Sequence, residues 1–215
     1  MKKFAIAVGI LFFGMLAFTR IVHGQADPKA SADIAVNGGF EEWREATGQE
    51  KKTVDCVQFP AGWMMVGSSC VLVRDDKAKH GGVCSLRAEN KDTKSNISVV
   101  QRMDAAPETR YRFKMWLKGE NIDSYSSKGF FMHVMASSQN DKKDANIWAG
   151  NLYYEYKIPS PRTGTFDWKE FVFTFDTPPK TRTILLSVEL RGAGTMWLDD
   201  VEVMEMEKVI KVESY

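Results

Sequence analysis

EFVFTFDTPPKTRTILLSVEL, residues 170–190, holds two apolar runs that alternate with a period of two, parted by TPPKTR. In the first, Phe171, Phe173 and Phe175 share one side and Val172 and Thr174 the other. In the second, Ile184, Leu186, Val188 and Leu190 oppose Leu185, Ser187 and Glu189. Successive side chains of a strand point to opposite faces, so each run reads as a strand lining a core.

The same signature extends outward in both directions. YRFKMWLKG (111–119) sets Tyr111, Phe113, Met115 and Leu117 against Arg112, Lys114, Trp116 and Lys118. GFFMHVM (129–135), NLYYEYKI (151–158), CSLRAEN (84–90) and SVVQRM (98–103) are shorter candidates, separated by Gly, Pro, Asn, Asp and Ser clusters. Roughly eight to ten strands follow, which implies an all-β jelly-roll β-sandwich of two antiparallel sheets. Residues 41–52 and 140–146 lack a sustained apolar stripe and read as loops.

Residues 1–24 have the layout of an export signal: Lys2 and Lys3, an apolar run from Phe4 to Phe18 closed by Arg20, then Val22 and Gly24 before the cut. That run is short of the ~20 residues that span a bilayer, so the reading is cleavage, no later membrane span, and a secreted, periplasmic or cell-surface product. Residues 25–35 are a short extension, 36–206 one sandwich domain and 207–215 a tail. The leader takes three of the 29 basic residues and none of the 28 acids, leaving a formal charge near −2, which argues against nucleic acid as a partner.

Cys56, Cys70 and Cys84 all follow the signal, where oxidation is permitted. One disulfide with one free thiol is the arithmetic; Cys70–Cys84 across a turn through Asp75 to Gly82 is the favoured pair, and three buried thiols are the alternative. Catalytic signatures are missing. His80 and His133 stand apart with no HExxH pair, no GxSxG elbow occurs, and no cysteine has an evident histidine partner. The chain is therefore expected not to be an enzyme.

GTMWLDDVEV (194–203) is the anomaly. Alternation puts Trp197, Asp199, Val201 and Val203 on one side, so Asp199 shares an apolar face. A buried carboxylate needs a pairing cation or a metal, and calcium is the hard cation available outside the cell. Glu41, at the end of the turn in VNGGFEEW (36–43), is the candidate co-ligand, with carbonyls from the turn around His80 to Gly82.

The ordered set NGGFEEW, GW at 62–63, KHGGVCSLRAEN, TRYRFKMWLKGEN, GTFDWKEFVFTF and GTMWLDDVEV resembles carbohydrate-binding modules of the families numbered four, nine and twenty-two. It covers residues 37–204 and departs at Gly81, where the family commonly has Ser. The resemblance implies a jelly roll with a structural calcium held at Glu41 and Asp199, and with Asp200 as a less favoured ligand. It implies glycan binding on the concave outer face of one sheet, where aromatic rings stack on pyranose C–H surfaces.

Outward aromatics and amides supply the candidate ligand residues. Trp116 points away from Tyr111, Phe113 and Met115. If Leu152, Tyr154, Tyr156 and Ile158 face inward, Tyr153 and Glu155 project outward together. Trp148 sits in a polar loop, and Gln101 resembles a family glutamine although it shares the parity of Ile97 and Val99. The expected function is a non-catalytic exported module for a polysaccharide or oligosaccharide, with an associated glycoside hydrolase encoded elsewhere. The alternative is a structural or adhesion sandwich that contacts another protein.

Overall fold

The computed structural model describes residues 32–67, 70–123, 129–139 and 150–209. Residues 1–24, read above as an export signal, and residues 140–146 and Trp148 lie outside these. The described elements are β1 (Trp43–Glu45), α1 (Gly48–Thr53), β2 (Val54–Asp55), β3 (Gln58–Pro60), β4 (Met64–Gly67), β5 (Cys70–Asp75), β6 (Ser85–Asn90), β7 (Asn96–Asp104), β8 (Thr109–Ile122), β9 (Gly129–Ser137), β10 (Asn151–Lys157), β11 (Gly164–Asp176), β12 (Thr183–Arg191) and β13 (Gly194–Lys208).

Two sheets make the sandwich. One runs β10-β9-β12-β7-β4 and the other β11-β8-β13-β6-β5-β2, while β1 and β3 pair apart. Every pairing is antiparallel except β2 with β5. The architecture is the all-β sandwich expected from the alternation. Asp33 and Ile34, from the expected extension, add to it by bonding the backbone of Val203 on β13.

The core lies between the sheets and takes the predicted faces: Tyr111, Phe113, Met115 and Leu117 from β8 and Ile184, Leu186, Val188 and Leu190 from β12, all buried. Phe113 and Phe173 stack with ring centroids 4.9 Å apart, which joins β8 to edge strand β11 from within.

Two expectations are corrected. Residues 48–53 form a helical turn, because Thr47 caps it and Glu50 returns a bond to the Thr47 amide; Arg44 beside Glu50 holds that carboxyl down at about 2. The favoured disulfide is absent: Cys56, Cys70 and Cys84 are free, buried thiols. The hairpin register explains why. Cys70 lies opposite Asn90 and Asp75 opposite Ser85, so Cys70 and Cys84 sit at opposite ends of the β5–β6 ladder. Burial pushes the Cys70 thiol up to about 12.

Candidate functional site

Three places bear on function. The first is a loop cluster where the NGGF turn, the KHGG loop and the middle of β13 meet. Asp199 is fully buried and its carboxylate is consumed by backbone: Oδ2 accepts from the His80 and Gly81 amides at 2.8 and 3.1 Å, and Oδ1 from the Asp200 amide at 2.8 Å. Burial pushes its carboxyl above the usual range, against the pull of those three amides.

Asp200 has a left-handed φ of 45°, and the β13–β8 register shifts between Asp199 and Glu202. This bulge breaks the alternation and turns Asp200 toward the loops. Its Oδ2 lies 2.6 Å from His80 Nδ1. A Cβ on Gly81 would come within 2.6 Å of the same oxygen, and one on Gly82 within 1.7 Å of Glu41 Oε1. Glu41 Oε1 in turn accepts from the Val83 amide at 2.7 Å. The glycines therefore let two carboxylates, Glu41 and Asp200, close on one loop.

For a calcium ion, Glu41 and Asp200 are the more open side-chain donors, whereas the fully buried Asp199 gives three of its acceptor positions to backbone amides. Among the described residues no group of three or more His, Cys, Asp or Glu side chains is placed to hold a metal, so backbone carbonyls would have to complete the shell.

The predicted ligand residues do not converge. Trp116 lies on the outer side of the six-stranded sheet, and the His80 ring stacks on it at 3.7 Å with a 13° interplanar angle. Trp168 meets His80 edge-on. Trp116 is thus a seat for the KHGG loop. Gln101 is 1% exposed, and its amide bonds the Val36 backbone on both sides and Gly62 O, so its inward parity wins and it pins the N-terminal segment.

Tyr153 and Glu155 show an inverted parity. Tyr154 packs with Val100, Met135 and Leu185 on the outer side of the five-stranded sheet. Tyr153 leans instead on Phe175 of β11, centroids 5.7 Å apart. A register shift between Asn151 and Tyr153 opens β10, and a one-residue slip exchanges the faces of a strand. Tyr153 and Glu155 therefore line the sandwich edge and not a sheet face.

The second place is the outer face of the five-stranded sheet. Register sets Phe131 and Ser98 beside Glu189, and His133 and Val100 beside Ser187. Glu189 Oε2 is 2.6 Å from His133 Nε2 and 2.9 Å from Arg191 Nη2. His133 Nδ1 meets the Tyr154 hydroxyl, and the Arg191 guanidinium lies 4.1 Å from the Phe131 ring centroid. Burial pushes the Glu189 carboxyl up, but the bonds from His133 and Arg191 outweigh it and hold it below the usual range.

This row was missed in the sequence because β9 is apolar on both faces. The available signal was Glu189 and Arg191 at alternate positions opposite the core residues of β12.

A family model described as a carbohydrate binding domain matches residues 32–195. The chain belongs to that carbohydrate binding domain family. Its family is one of non-catalytic binding modules. Solved structures like this carbohydrate binding domain include the enzymatically active domain of bacteriophage CBA120 tailspike protein 4 (10% identity, TM-score 0.53, 81% of this chain and 21% of that one). They also include the CBM22-1-CBM22-2 tandem of Paenibacillus barcinonensis Xyn10C (12%, 0.52, 88% and 49%). The CBM22-1 xylan-binding domain of the same protein matches at 14% and 0.50, over 83% and 97%.

At these identities the likeness is one of fold. A curated relative, the uncharacterized HTH-type transcriptional regulator YbfP of Bacillus subtilis strain 168, is 22% identical over 213 residues, which is 95% of this chain and 66% of the relative. The chain thus spans just under two thirds of that relative's length.

Proposed function

We propose that this carbohydrate binding domain is an exported, non-catalytic module that takes a polysaccharide or oligosaccharide on the outer face of the five-stranded sheet. The observation that carries the reading is the row Phe131–Glu189–Arg191 beside His133, Ser187 and Tyr154. The partly exposed Arg191 guanidinium and Tyr154 are the members that would meet a sugar, held in place by the buried Glu189 carboxylate and His133 imidazole, and the Tyr154 ring offers a face for C–H stacking. A sandwich needs none of these polar groups for its own closure, since desolvating them costs stability.

Isothermal titration against a glycan array tests it. Glu189→Gln keeps the shape and removes the charge-assisted bonds, so affinity should fall about tenfold or more with the fold intact by circular dichroism. Absence of binding to every glycan overturns the proposal and leaves the adhesion alternative.

Calcium belongs to the same proposal, with Glu41 and Asp200 as its side-chain ligands in place of the expected Glu41 and Asp199. Asp199 then holds the KHGG loop in position from beneath. Chelation should lower the melting temperature of the wild type and leave Glu41→Gln/Asp200→Asn unchanged; equal melting of the wild type with and without chelator overturns it.

A further inference from the structure

The third place is the open edge of the sandwich, where the terminal strand of each sheet, β10 and β11, faces the other without hydrogen bonding to it. The inward side of β10 carries Tyr153, Glu155 and Lys157, whereas its other side carries Leu152 and Tyr154. Inner positions that would ordinarily be aliphatic are therefore polar here. The Lys157 Nζ lies 5.7 Å from the Phe173 ring centroid and Tyr153 leans on Phe175, so the polar side chains of β10 rest against core aromatics of β11 and border a cleft with polar walls.

That cleft measures about 480 Å³, within the ~300–1,000 Å³ usual for small-ligand pockets. Tyr153, Glu155 and Lys157 form one wall, and Thr174, Asp176 and Pro178 the other. Tyr153 is 49% exposed. Lys157 Nζ holds Glu155 Oε1 at 2.6 Å, and Arg110 holds Asp176 by two bonds of 2.8 Å. Both acids are thereby fixed in position, each with accepting capacity to spare. Glu108 stands at the cleft's end with φ 51°, which makes the lining three carboxylates against one ammonium.

We propose that this edge cleft is a second carbohydrate site that takes a terminal unit of a neutral glycan, with the sugar's C–H face on Tyr153 and its hydroxyls on Glu155, Asp176 and Thr174. The inference rests on the reading that the domain binds glycan, and it adds a site separate from the sheet face. Neutrality follows from the lining: a uronate would meet three carboxylates, while the nearby cations Lys157 and Arg110 are already engaged by Glu155 and Asp176. An end is favoured over a run of chain because the lining residues Glu108 and Val209 are joined by a backbone bond of 2.8 Å, which ties two parts of the chain together at the cleft.

Amide chemical-shift mapping of the full exported protein tests it. The probes are short neutral gluco-, xylo-, manno- and galacto-oligosaccharides, with an oligogalacturonate as charged control. At least one neutral probe should shift residues 153–157 and 174–178, and the oligogalacturonate should leave them in place. Tyr153→Ala should weaken that probe's edge affinity about tenfold, the size of one aromatic stacking contact, with shifts at Phe131 and Glu189 unchanged; Tyr153→Phe should retain it.

Shifts confined to the sheet face at saturating probe, with Tyr153→Ala neutral, overturn the edge site alone. No shift anywhere with any probe overturns both this site and the proposed function. An oligogalacturonate that binds the edge as well as the neutral probes overturns the charge argument on which the site's ligand class rests.

Discussion

The outer faces of the two sheets handle charge in opposite ways. On the six-stranded sheet, Lys114–Glu202, Arg87–Glu89 and Lys118–Asp167 are ion pairs whose side chains stay partly exposed to water. On the five-stranded sheet, Glu189 is 7% exposed and shared between His133 and Arg191. Exposed pairs contribute little to stability, whereas buried ones incur a desolvation cost that their attraction barely offsets. The first face is partly solvated, and the second keeps a buried ionic arrangement whose net contribution to stability is small while its disruption is expensive.

The sharpest way to break this contrast is Glu189→Ala. It leaves His133 and Arg191 without their shared carboxylate and should cost about 3–5 kcal/mol in urea unfolding. A change under 1 kcal/mol would make the two faces equivalent. Next in size is Asp199→Ala, which orphans three backbone amides and should cost about 3 kcal/mol, read by the same method. Chelation follows: a bound ion at hundredfold excess over its Kd stabilises by about 2.7 kcal/mol, measured as a melting shift.

Acid sharpens the comparison further. The folded Glu189 carboxyl sits below its ordinary value of 4.5, so its contribution is present above that pH and is lost as pH falls through the lowered folded value. Melting of the wild type should drop more steeply below pH 4.5 than that of Glu189→Gln. The smallest effect belongs to Lys114→Ala or Glu202→Ala, each expected to change stability by less than about 1 kcal/mol in the same unfolding assay.

Legibility followed local rules where they hold. The Phe171–Phe173–Phe175 and Ile184–Leu190 runs told their faces because each pairs with its neighbour in unbroken register, even though β11 is itself an edge strand. β10 misled because it is an edge strand with an irregular register: Leu152 and Tyr154 look inward by chemistry, yet the cleft side is held by Tyr153, Glu155 and Lys157. Asp199 was correctly read as interior, and the structure adds three backbone amides as its partners. Asp200 escapes the alternation through a left-handed backbone, a feature that two adjacent aspartates do not announce.

Residue alternation alone determined that this chain folds as a β-sandwich, which residues fill its middle, and that an interior carboxylate near its end required a partner. Tertiary structure alone decided who those partners are. It gave Asp199 to the His80 and Gly81 amides, set His80 on Trp116, and placed Glu189 between His133 and Arg191. Periodicity fixes the direction of a side chain within its own strand, whereas contact between residues 56 or 119 positions apart depends on strand order, bulges and loop reach, which no local pattern encodes.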